Sequence, residues 1–255
     1  MSSVFDSLAL GPPVERSGLE LRLARNTQEL HQLQRLRARS FRGDENLVDA
    51  DRHDARCRHL WISRRGEPPL ATLRLSHHID AQSLLSGYSA GFFDLEPIAQ
   101  LPGTVLELGR LCLHPQAPTA KLMRLIWTGI ARMTIRSGAQ RLIGCTSLEG
   151  ADPARHRAAL AHLATRHLGP PGQRPAAHGP GATGFGHLAS AQLAPAPPRL
   201  LPILRFYMSL GGWVSDQLAI DADLDNCLLF TCVELAAMPA SRHRLLRSLA
   251  TSQAD

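Results

Sequence analysis

An alternation of strand and helix patterns in the middle of the chain constrains its fold more than any other feature. Residues 104–113 form an apolar, strand-like run that His114 and Pro115 bring to an end. Residues 120–137 then carry apolar side chains at the spacing of one helix face, and residues 141–146 form a second apolar run. That helix face comprises Leu122, Leu125, Ile126, Ile130 and Met133. Two buried strands joined by a long amphipathic helix are typical of an α/β protein.

The remaining elements extend this pattern on both sides. Strands are predicted over residues 19–24, 59–63, 71–76, 213–220 and 227–233, and helices over 26–41, 153–167, 200–210 and 242–249. Asn26 followed by Glu29 begins the first helix as a capping box. The break at 65–68, which contains Gly and Pro, predicts a hairpin between two strands. The expected fold class is therefore α/β, with a single mixed central sheet flanked by helices.

Three regions are expected along the chain. Residues 1–18 are interpreted as a loose leader, residues 19–235 as one folded domain, and residues 236–255 as a short basic C-terminal helix. Within the domain, residues 169–199 are rich in Gly, Pro and Ala. That composition predicts a mobile loop inside the domain rather than a second domain.

Composition excludes several classes of protein. A hydrophobic fraction of 44% rules out wholesale disorder, and no apolar run approaches the roughly 18 residues of a membrane span. The first residues lack the basic segment of a secretory signal, so a cytoplasmic protein is expected. The 5 cysteines include no Cys-x-x-Cys and the 12 histidines are scattered, which predicts no metal site.

The charge of the chain indicates an acidic partner. The net charge is +6, and Lys121 is the only lysine, so 27 of the 28 basic residues are arginine. Arginine pairs bidentately with carboxylates and phosphates, which is compatible with nucleic acid, an anionic lipid surface or an acidic carrier protein. Nucleic-acid binding is disfavoured, because the 2 Tyr, 7 Phe and 3 Trp lie mostly in apolar runs rather than between arginines.

Charged residues in three segments are candidates for a polar site. Asp49, Asp51 and Asp54 lie within six residues and repel one another, so they need solvent or a cation nearby. Arg74 interrupts an apolar strand and needs an acceptor if it faces inward. Glu107 and Arg110 face opposite sides of a regular strand, and a β-bulge at Gly109 would bring them to one side. A solvated loop, an outward-facing arginine and a charged strand edge are the alternatives.

Eight collinear stretches together resemble a known family of enzymes. They are Leu36-Arg37-x3-Phe41; Asp49-x-Asp51-x-x-Asp54-x-x-Cys57-x-His59-Leu60; Thr72-x-Arg74-Leu75; Tyr88-Ser89-x3-Phe93-Asp94-Leu95; Leu106-Glu107-Leu108-Gly109-Arg110-x-Cys112-x-His114-Pro115; Leu125-Ile126-Trp127-x-Gly129-Ile130; Gly144-Cys145-x-Ser147-Leu148-x-Gly150-x-Asp152-Pro153; and Leu201-Pro202-x4-Tyr207-x2-Leu210-Gly211. The family resembled is that of the hemolysin-like N-acyltransferases that make lyso-ornithine lipid. These enzymes have an N-acetyltransferase-like fold and are distantly similar to acyl-homoserine lactone synthases.

The resemblance implies an activity and a set of site residues. The implied reaction moves a long, often 3-hydroxylated acyl chain from acyl carrier protein to the α-amino group of ornithine, with no further cofactor. Residues 19–235 are then the acyltransferase domain. Catalytic roles are implied for Asp49, Asp51, Asp54, Glu107 and Arg110, and substrate binding for Arg37, Phe41, Arg74 and Ser147. No Arg-x-x-Gly-x-Gly/Ala pyrophosphate loop follows the main strand, which agrees with a carrier-protein donor.

Further expectations concern the acyl chain, the donor and a membrane. An apolar slot for the acyl chain is expected between residues 104–113 and 141–146. Acyl carrier protein is acidic, and Arg132, Arg136 and Arg141 are candidates for its docking face. The basic final helix is suited to peripheral contact with an anionic membrane at the inner face of the cytoplasmic membrane. These three expectations depend on the resemblance as well as on the residues.

Two other readings of the sequence stay open. One is an N-acyltransferase of the same fold with another amino acid or a homoserine-lactone-type acceptor. A lactone synthase is disfavoured, because residues 43–48 contain no aromatic side chain after the first helix. The other reading is a non-catalytic basic binding protein.

Overall fold

A computed structural model of the protein describes residues 8–190, 200–236 and 238–251. These residues divide into two compact units, each containing strands and helices. Unit 1 comprises residues up to 77, residues 106–139 and residues from 243 onward, and unit 2 comprises residues 78–105 and 140–242. The sequence predicted one folded domain over 19–235, whereas the contacts group its segments into these two units.

The strands of unit 1 follow the chain in order. They are β1 (Val14–Arg16), β2 (Leu19–Leu23), β3 (Arg58–Ser63), β4 (Ala71–His78) and β5 (Val105–Leu113), and neighbours in this list are paired. The first four are joined as antiparallel pairs, and the hairpin predicted at 65–68 connects β3 to β4. The expected loose leader is wrong for residues 14–16, because β1 pairs with β2 and buries Val14.

Two long helices pack in unit 1. They are α1 (Thr27–Arg42) and α4 (Thr119–Ser137), and both agree closely with the predicted spans. The side chain of Asn26 accepts a hydrogen bond from the backbone N–H of Glu29 and caps α1. The predicted capping box is incomplete, because the Glu29 carboxylate accepts from the backbone N–H of Arg25 instead of Asn26. The five residues of the predicted apolar face of α4 are all buried. Helix α7 (Ala240–Thr251) corresponds to the basic C-terminal helix.

Unit 2 has its own strands and helices. Its strands are β6 (Arg141–Glu149), β7 (Thr183–Gly184), β8 (Trp213–Asp221) and β9 (Asn226–Glu234), in the order β6-β9-β8-β7 with antiparallel pairing throughout. Its helices are α2 (Ala81–Leu85), α3 (Glu96–Ala99), α5 (Arg157–Arg166) and α6 (Pro202–Ser209). Aromatic rings pack in its core with their planes tilted relative to one another, and the ring centroids of Phe93 and Phe230 are 5.7 Å apart.

The Gly/Pro-rich segment 169–199 is more ordered over its described part than its composition suggests. Phe185 and Leu188 are buried in the core of unit 2 against Leu160 and Leu163 of α5. The backbone N–H of Phe185 also donates to the carbonyl of Asp216 on β8. The expectation of a mobile loop is therefore wrong for residues 183–188, and residues 191–199 lie outside the described part of the chain.

Candidate active site

Helix α1 contributes the first buried charge of the site. Leu33, Gln34 and Arg37 lie on its buried face, since residues three and four apart share one side of a helix. Arg37 has no exposed surface. Its Nε donates to Oδ2 of Asp49 at 2.8 Å, and its Nη2 donates to the carbonyl oxygen of the same residue. An arginine buried to this extent needs acceptors for its donors, and the acidic loop supplies them.

Asp54 is the centre of the hydrogen-bond network. Its Oδ1 accepts from Nη1 of Arg37 at 2.9 Å and from Nη1 of Arg74 at 2.8 Å. Its Oδ2 accepts from Nε2 of Gln34 at 2.8 Å and from Nη2 of Arg37 at 3.0 Å. The backbone N–H of Asp51 adds a longer bond of 3.4 Å to Oδ2. A carboxylate has about four acceptor positions, so these donors use the capacity of Asp54.

Strand register places the next members beside Asp54. His59 on β3 is directly paired with Arg74 on β4, so both side chains point to the same face of the sheet. Nε2 of His59 lies 3.1 Å from the backbone oxygen of Asp54 and is placed to donate to it. Arg74 also donates from Nη1 to Oδ1 of Asp51 at 2.6 Å. The inward-facing reading of Arg74 is therefore correct, and its partners are the aspartates.

A backbone distortion in β5 brings Arg110 to the same cluster. Arg110 has φ of 51°, in the left-handed region that residues with a side chain rarely adopt. Its Nη2 lies 3.3 Å from Oδ2 of Asp51, and its Nε lies 3.3 Å from Oδ2 of Asp49. The guanidinium also lies over the ring of Phe41, 5.9 Å from the centroid. The distortion that the sequence placed at Gly109 is thus centred on Arg110.

Glu107 faces the acidic loop from β5. It is 5% exposed, and its charge acts on both His53 and Cys57. Burial raises the pKa of the Cys57 thiol to about 12, with the Glu107 charge adding to the rise and Arg74 opposing it. Cys57 is therefore a thiol rather than a thiolate at neutral pH. Glu107 and Arg110 approach the same group of side chains, as the predicted distortion required.

The network holds Asp51 and Asp54 ionised. Burial by itself raises the pKa of Asp54, but hydrogen bonds from Arg37, the Arg37 charge and hydrogen bonds from Arg74 and Gln34 outweigh it. The pKa of Asp54 consequently lies well below its usual range. For Asp51, burial is likewise outweighed by Arg74, and the pKa is lowered.

Asp51 and Arg110 are the partly exposed pair of the network. Their side chains are 21% and 14% exposed, whereas those of Arg37 and Asp54 are 0% and 5% exposed. An amino acid presents an ammonium group and a carboxylate, which match a partly exposed aspartate beside a partly exposed arginine. Asp54 already accepts hydrogen bonds from Gln34, Arg37 and Arg74, and its catalytic role stays a prediction.

Eight of the nine predicted site residues converge in unit 1. They are Arg37, Phe41, Asp49, Asp51, Asp54, Arg74, Glu107 and Arg110. Ser147 lies on β6 in unit 2 with an exposed side chain, and its role stays a prediction.

Sequence reasoning missed several polar members of this site. Gln34, His53 and His59 were not assigned roles. Gln34 and Arg37 are three residues apart on an otherwise apolar helix face. Two polar residues at that spacing indicate that both side chains face the same buried site.

The candidate docking arginines differ in their surroundings. Arg141 is 6% exposed, and its guanidinium bonds Glu234 at 3.0 Å and the carbonyl of Pro102 at 2.8 Å. The prediction that Arg141 contributes to a docking face is therefore wrong. Arg132 donates to the carbonyls of Ala250 and Pro12, whereas Arg136 is exposed.

The part of the chain that the structure describes contains neither a membrane-spanning helix nor a metal cluster. None of its helices combines the length and apolar character needed to cross a membrane. No group of three or more His, Cys, Asp or Glu side chains within residues 8–190, 200–236 and 238–251 is arranged to hold a metal ion.

Comparison with known proteins places the chain among acyltransferases. Residues 34–128 match the acetyltransferase (GNAT) domain family. The chain is 27% identical over 241 residues to L-ornithine N(alpha)-acyltransferase of Rhodobacter capsulatus, an alignment that covers 88% of this chain and 93% of that protein. It is 30% identical over 176 residues to the protein of the same name from Brucella abortus, covering 62% of each chain.

A solved structure supports the fold class. The chain resembles FeeM, an N-acyl amino acid synthase from uncultured soil microbes, with a TM-score of 0.51 and 11% sequence identity, over 89% of this chain and 93% of FeeM. Together with the domain match, this confirms the predicted α/β, N-acetyltransferase-like fold. The chain is an acyltransferase of this fold, and its sequence resembles the L-ornithine N(alpha)-acyltransferases.

Proposed function

We propose that this enzyme transfers a long, 3-hydroxylated acyl chain from acyl carrier protein to the α-amino group of ornithine, the first step of ornithine lipid synthesis. The observation that carries this proposal is the similarity to the Rhodobacter capsulatus L-ornithine N(alpha)-acyltransferase along nearly the whole of both chains. The carboxylates and arginines of the site are also suited to an amino acid that carries two ammonium groups and one carboxylate.

The exposed pair orients the acceptor. Arg110 binds the carboxylate of the amino acid, and Asp51 binds an ammonium group, since each already pairs with the other at 3.3 Å and can exchange that contact for substrate. Only the free amine attacks a thioester, so the α-ammonium first loses a proton. Glu107 drives this deprotonation, directly or through an intervening group.

The donor supplies the reactive acyl group. The acyl thioester is carried on the phosphopantetheine of acyl carrier protein, so the enzyme requires no cofactor of its own. As the C–N bond forms, negative charge develops on the thioester oxygen, and backbone N–H groups at the distorted strand β5 are proposed to stabilise it. The acyl chain of the donor is proposed to lie in an apolar slot of the enzyme.

We further propose that the enzyme is cytoplasmic and contacts the inner face of the membrane. From Ala240 to Thr251, helix α7 contains three arginines and one histidine and has no acidic residue. Arg244, Leu245 and Arg247 are exposed on it. A basic helix face with an exposed apolar residue suits an anionic lipid surface, into which an N-acyl amino acid product can pass.

The function is tested with purified protein, 3-hydroxyacyl carrier protein and ornithine, with the products identified by mass spectrometry. We expect N-acyl ornithine, and a fall in kcat of at least about 100-fold for Glu107→Gln, because general-base catalysis contributes about that much. Glu67→Gln is the matched control, since Glu67 is an exposed glutamate in a turn outside the site.

Three arms of the assay examine the donor and the acceptor separately. Acyl coenzyme A replaces the carrier-protein donor in one arm, and lysine, glutamine and homoserine lactone replace ornithine in another. A third arm omits the acceptor. Absence of N-acyl ornithine from the wild-type reaction contradicts the proposed acceptor, and equal rates with acyl coenzyme A contradict the proposed donor.

A further inference from the structure

A cavity of about 740 Å3 lies in unit 1 beside β1. Its walls come from the segment 10–15, from the C-terminal half of α4 and from the last turn of α7. The volume is within the roughly 300–1,000 Å3 that is typical of cavities for small organic ligands. The described residues that line it include none of the eight that converge in the candidate active site, so it is a separate place on the molecule.

Much of the cavity wall is apolar. Leu10 and Val14 line it and are buried, whereas Pro12, Pro13 and Ile135 line it and are exposed. Ile135 is 45% exposed, although its side chain is large and aliphatic. Covering such a side chain with apolar material removes its surface from water, which is favourable. The wall is therefore suited to a hydrocarbon chain.

Two arginines of α4 give the cavity positive charge. Arg132, Ile135 and Arg136 are three and four residues apart, so they share one side of the helix. Arg132 donates through Nε to the carbonyl of Ala250 at 2.8 Å and through Nη1 to the carbonyl of Pro12 at 3.2 Å. A guanidinium has five N–H donors, so Arg132 keeps donors for a further acceptor.

Arg136 is the more available of the two arginines. It is exposed, and within the described residues its guanidinium makes neither a hydrogen bond nor an ion pair. The guanidinium lies against the backbone of the segment 10–15, since a Cβ at Gly11 would be 3.5 Å from Nη1 of Arg136. An anionic group in the cavity can therefore bind Arg136 without displacing a partner of that side chain.

The glutamates that line the cavity direct their charge elsewhere. Glu15 and Glu20 are directly opposite each other in the pairing of β1 with β2, so their side chains share one face of the sheet. Val14 and Leu21 are also paired, and neighbouring residues along a strand face opposite sides. Leu21 faces α4, where it approaches Gly129. The carboxylates consequently point to the face of the sheet away from the arginines.

The basic face of α7 continues to the cavity. Arg244, Arg247 and Ala250 follow one another at intervals of three residues and so lie along one side of the helix. Arg244 and Arg247 are exposed, and Ala250 lines the cavity. A lipid surface in contact with these two arginines therefore also lies beside the cavity.

We propose that this cavity binds one anionic phospholipid from the membrane, with its phosphate on Arg136 and Arg132 and an acyl chain on Ile135 and the neighbouring prolines. The inference rests on the proposed contact of α7 with an anionic membrane for the source of the lipid, and it is independent of the chemistry at the acyl-transfer site. Arginine is suited to the headgroup because its planar guanidinium donates two parallel hydrogen bonds to a phosphate. A bound lipid would hold the enzyme at the surface into which its product passes.

The test titrates short-chain phosphatidylglycerol, below the concentration at which it forms micelles, into the full-length protein in a calorimeter. We expect binding by wild type and a Kd about tenfold or more higher for Arg136→Gln, because a hydrogen bond between charged groups is lost. Ile135→Asp should raise the Kd similarly, since it places a carboxylate against the lipid. Arg124→Gln is the matched control, because Arg124 is an exposed arginine of α4 outside the cavity lining, and its Kd should equal that of wild type.

Two further probes identify which part of the lipid is recognised. Glycerol 3-phosphate should bind more weakly, because it has no acyl chain to cover the apolar wall. Short-chain phosphatidylcholine should also bind more weakly, because the arginines repel its ammonium group. Equal binding of glycerol 3-phosphate would indicate a site for free phosphate, and equal binding of phosphatidylcholine would show that net negative charge is not recognised. Either result overturns the inference.

The remaining outcomes separate the cavity from the proposals around it. The inference is overturned if phosphatidylglycerol does not bind, or if Arg136→Gln and Arg124→Gln change its Kd equally. It is also overturned if Arg136→Gln keeps the lipid Kd but raises KM for the acyl carrier protein, which would assign Arg136 to that partner. A protein that binds the short-chain lipid but not anionic vesicles supports the cavity and contradicts the membrane contact of α7. One that binds the lipid but forms no N-acyl ornithine supports the cavity and contradicts the proposed reaction.

Discussion

At the scale of single residues, the site is built from charges that satisfy one another before any substrate arrives. The carboxylate of Asp54 accepts four hydrogen bonds from side chains, two of them from Arg37, and a longer one from the backbone N–H of Asp51. A buried ion pair is costly to break because the remaining charge has no solvent. The sequence indicated that these residues converge, but it could not give the number of donors around Asp54, which depends on side-chain packing between α1 and the acidic loop.

Replacement of Asp54 by asparagine should destabilise the fold strongly. The asparagine amide turns N–H donors toward Arg37 or Arg74, so we expect the free energy of unfolding at pH 7 to fall by about 3–5 kcal/mol. Urea unfolding measures this change. Glu67→Gln is the control, because the exposed pair of Glu67 with Arg64 is worth about 1 kcal/mol or less.

Acid should reduce the difference in the free energy of unfolding between wild type and Asp54→Asn. The folded-state pKa of Asp54 lies below its unfolded value of about 3.9. Its contribution to stability is therefore complete above that value and is lost as pH falls through the folded pKa. The gap between wild type and Asp54→Asn should narrow below about pH 4. A gap that is constant from pH 7 to pH 3 would contradict the role assigned to the Asp54 charge.

At the scale of elements, long periodic segments were predictable and short ones were not. The spans of α1, α4 and β5 follow from local patterns of apolar residues. The three residues of β1 carry no such pattern and are strand only because β2 pairs with them. Similarly, β6 continues to Glu149, beyond the predicted end at 146, because β9 pairs with it as far as Asn226. Pairing between distant segments is information that a local pattern lacks.

Helix α4 packs closely on the sheet at Gly129. A Cβ at this position would lie 2.7 Å from Cδ1 of Leu60 and 3.4 Å from Cδ2 of Leu21, both buried. Gly129→Ala gains about 1 kcal/mol in helix propensity but forces these side chains apart, at a cost of about 1–3 kcal/mol. We expect net destabilisation in urea unfolding.

A double-mutant cycle with Leu60→Ala identifies the cause. The added methyl of Gly129→Ala should partly occupy the space left by Leu60→Ala, so the two changes together should cost less than their sum. Additive effects would show that the close approach to Leu60 does not limit this position.

At the scale of the whole molecule, several of the arginines that make the chain basic are buried and form ion pairs inside the protein. Arg37 and Arg74 form ion pairs with the site aspartates, and Arg141 forms one with Glu234. Net charge alone therefore could not say which arginines are free for a partner. The exposed arginines of α7, by contrast, have no acidic residue on their own helix.

The proposed membrane contact is tested with vesicles. The wild-type protein should co-sediment with vesicles that contain anionic phospholipid, and much less with zwitterionic ones. Arg244→Glu combined with Arg247→Glu should abolish this binding, since it reverses two exposed charges. Arg64→Glu combined with Arg65→Glu, in the turn between β3 and β4, is the charge-matched control. Equal loss in both double variants would indicate a nonspecific effect of net charge and would contradict a surface at α7.

The shared acceptors of the aspartate–arginine network restrict how this part of the protein can diverge. Because Asp54 serves Arg37, Arg74 and Gln34 at once, an exchange at one of these positions leaves the others with unmatched charge or unmatched donors. Single substitutions within such a group are therefore not expected to be neutral. Its members are expected to be inherited together or replaced together, even where the surrounding apolar positions vary freely.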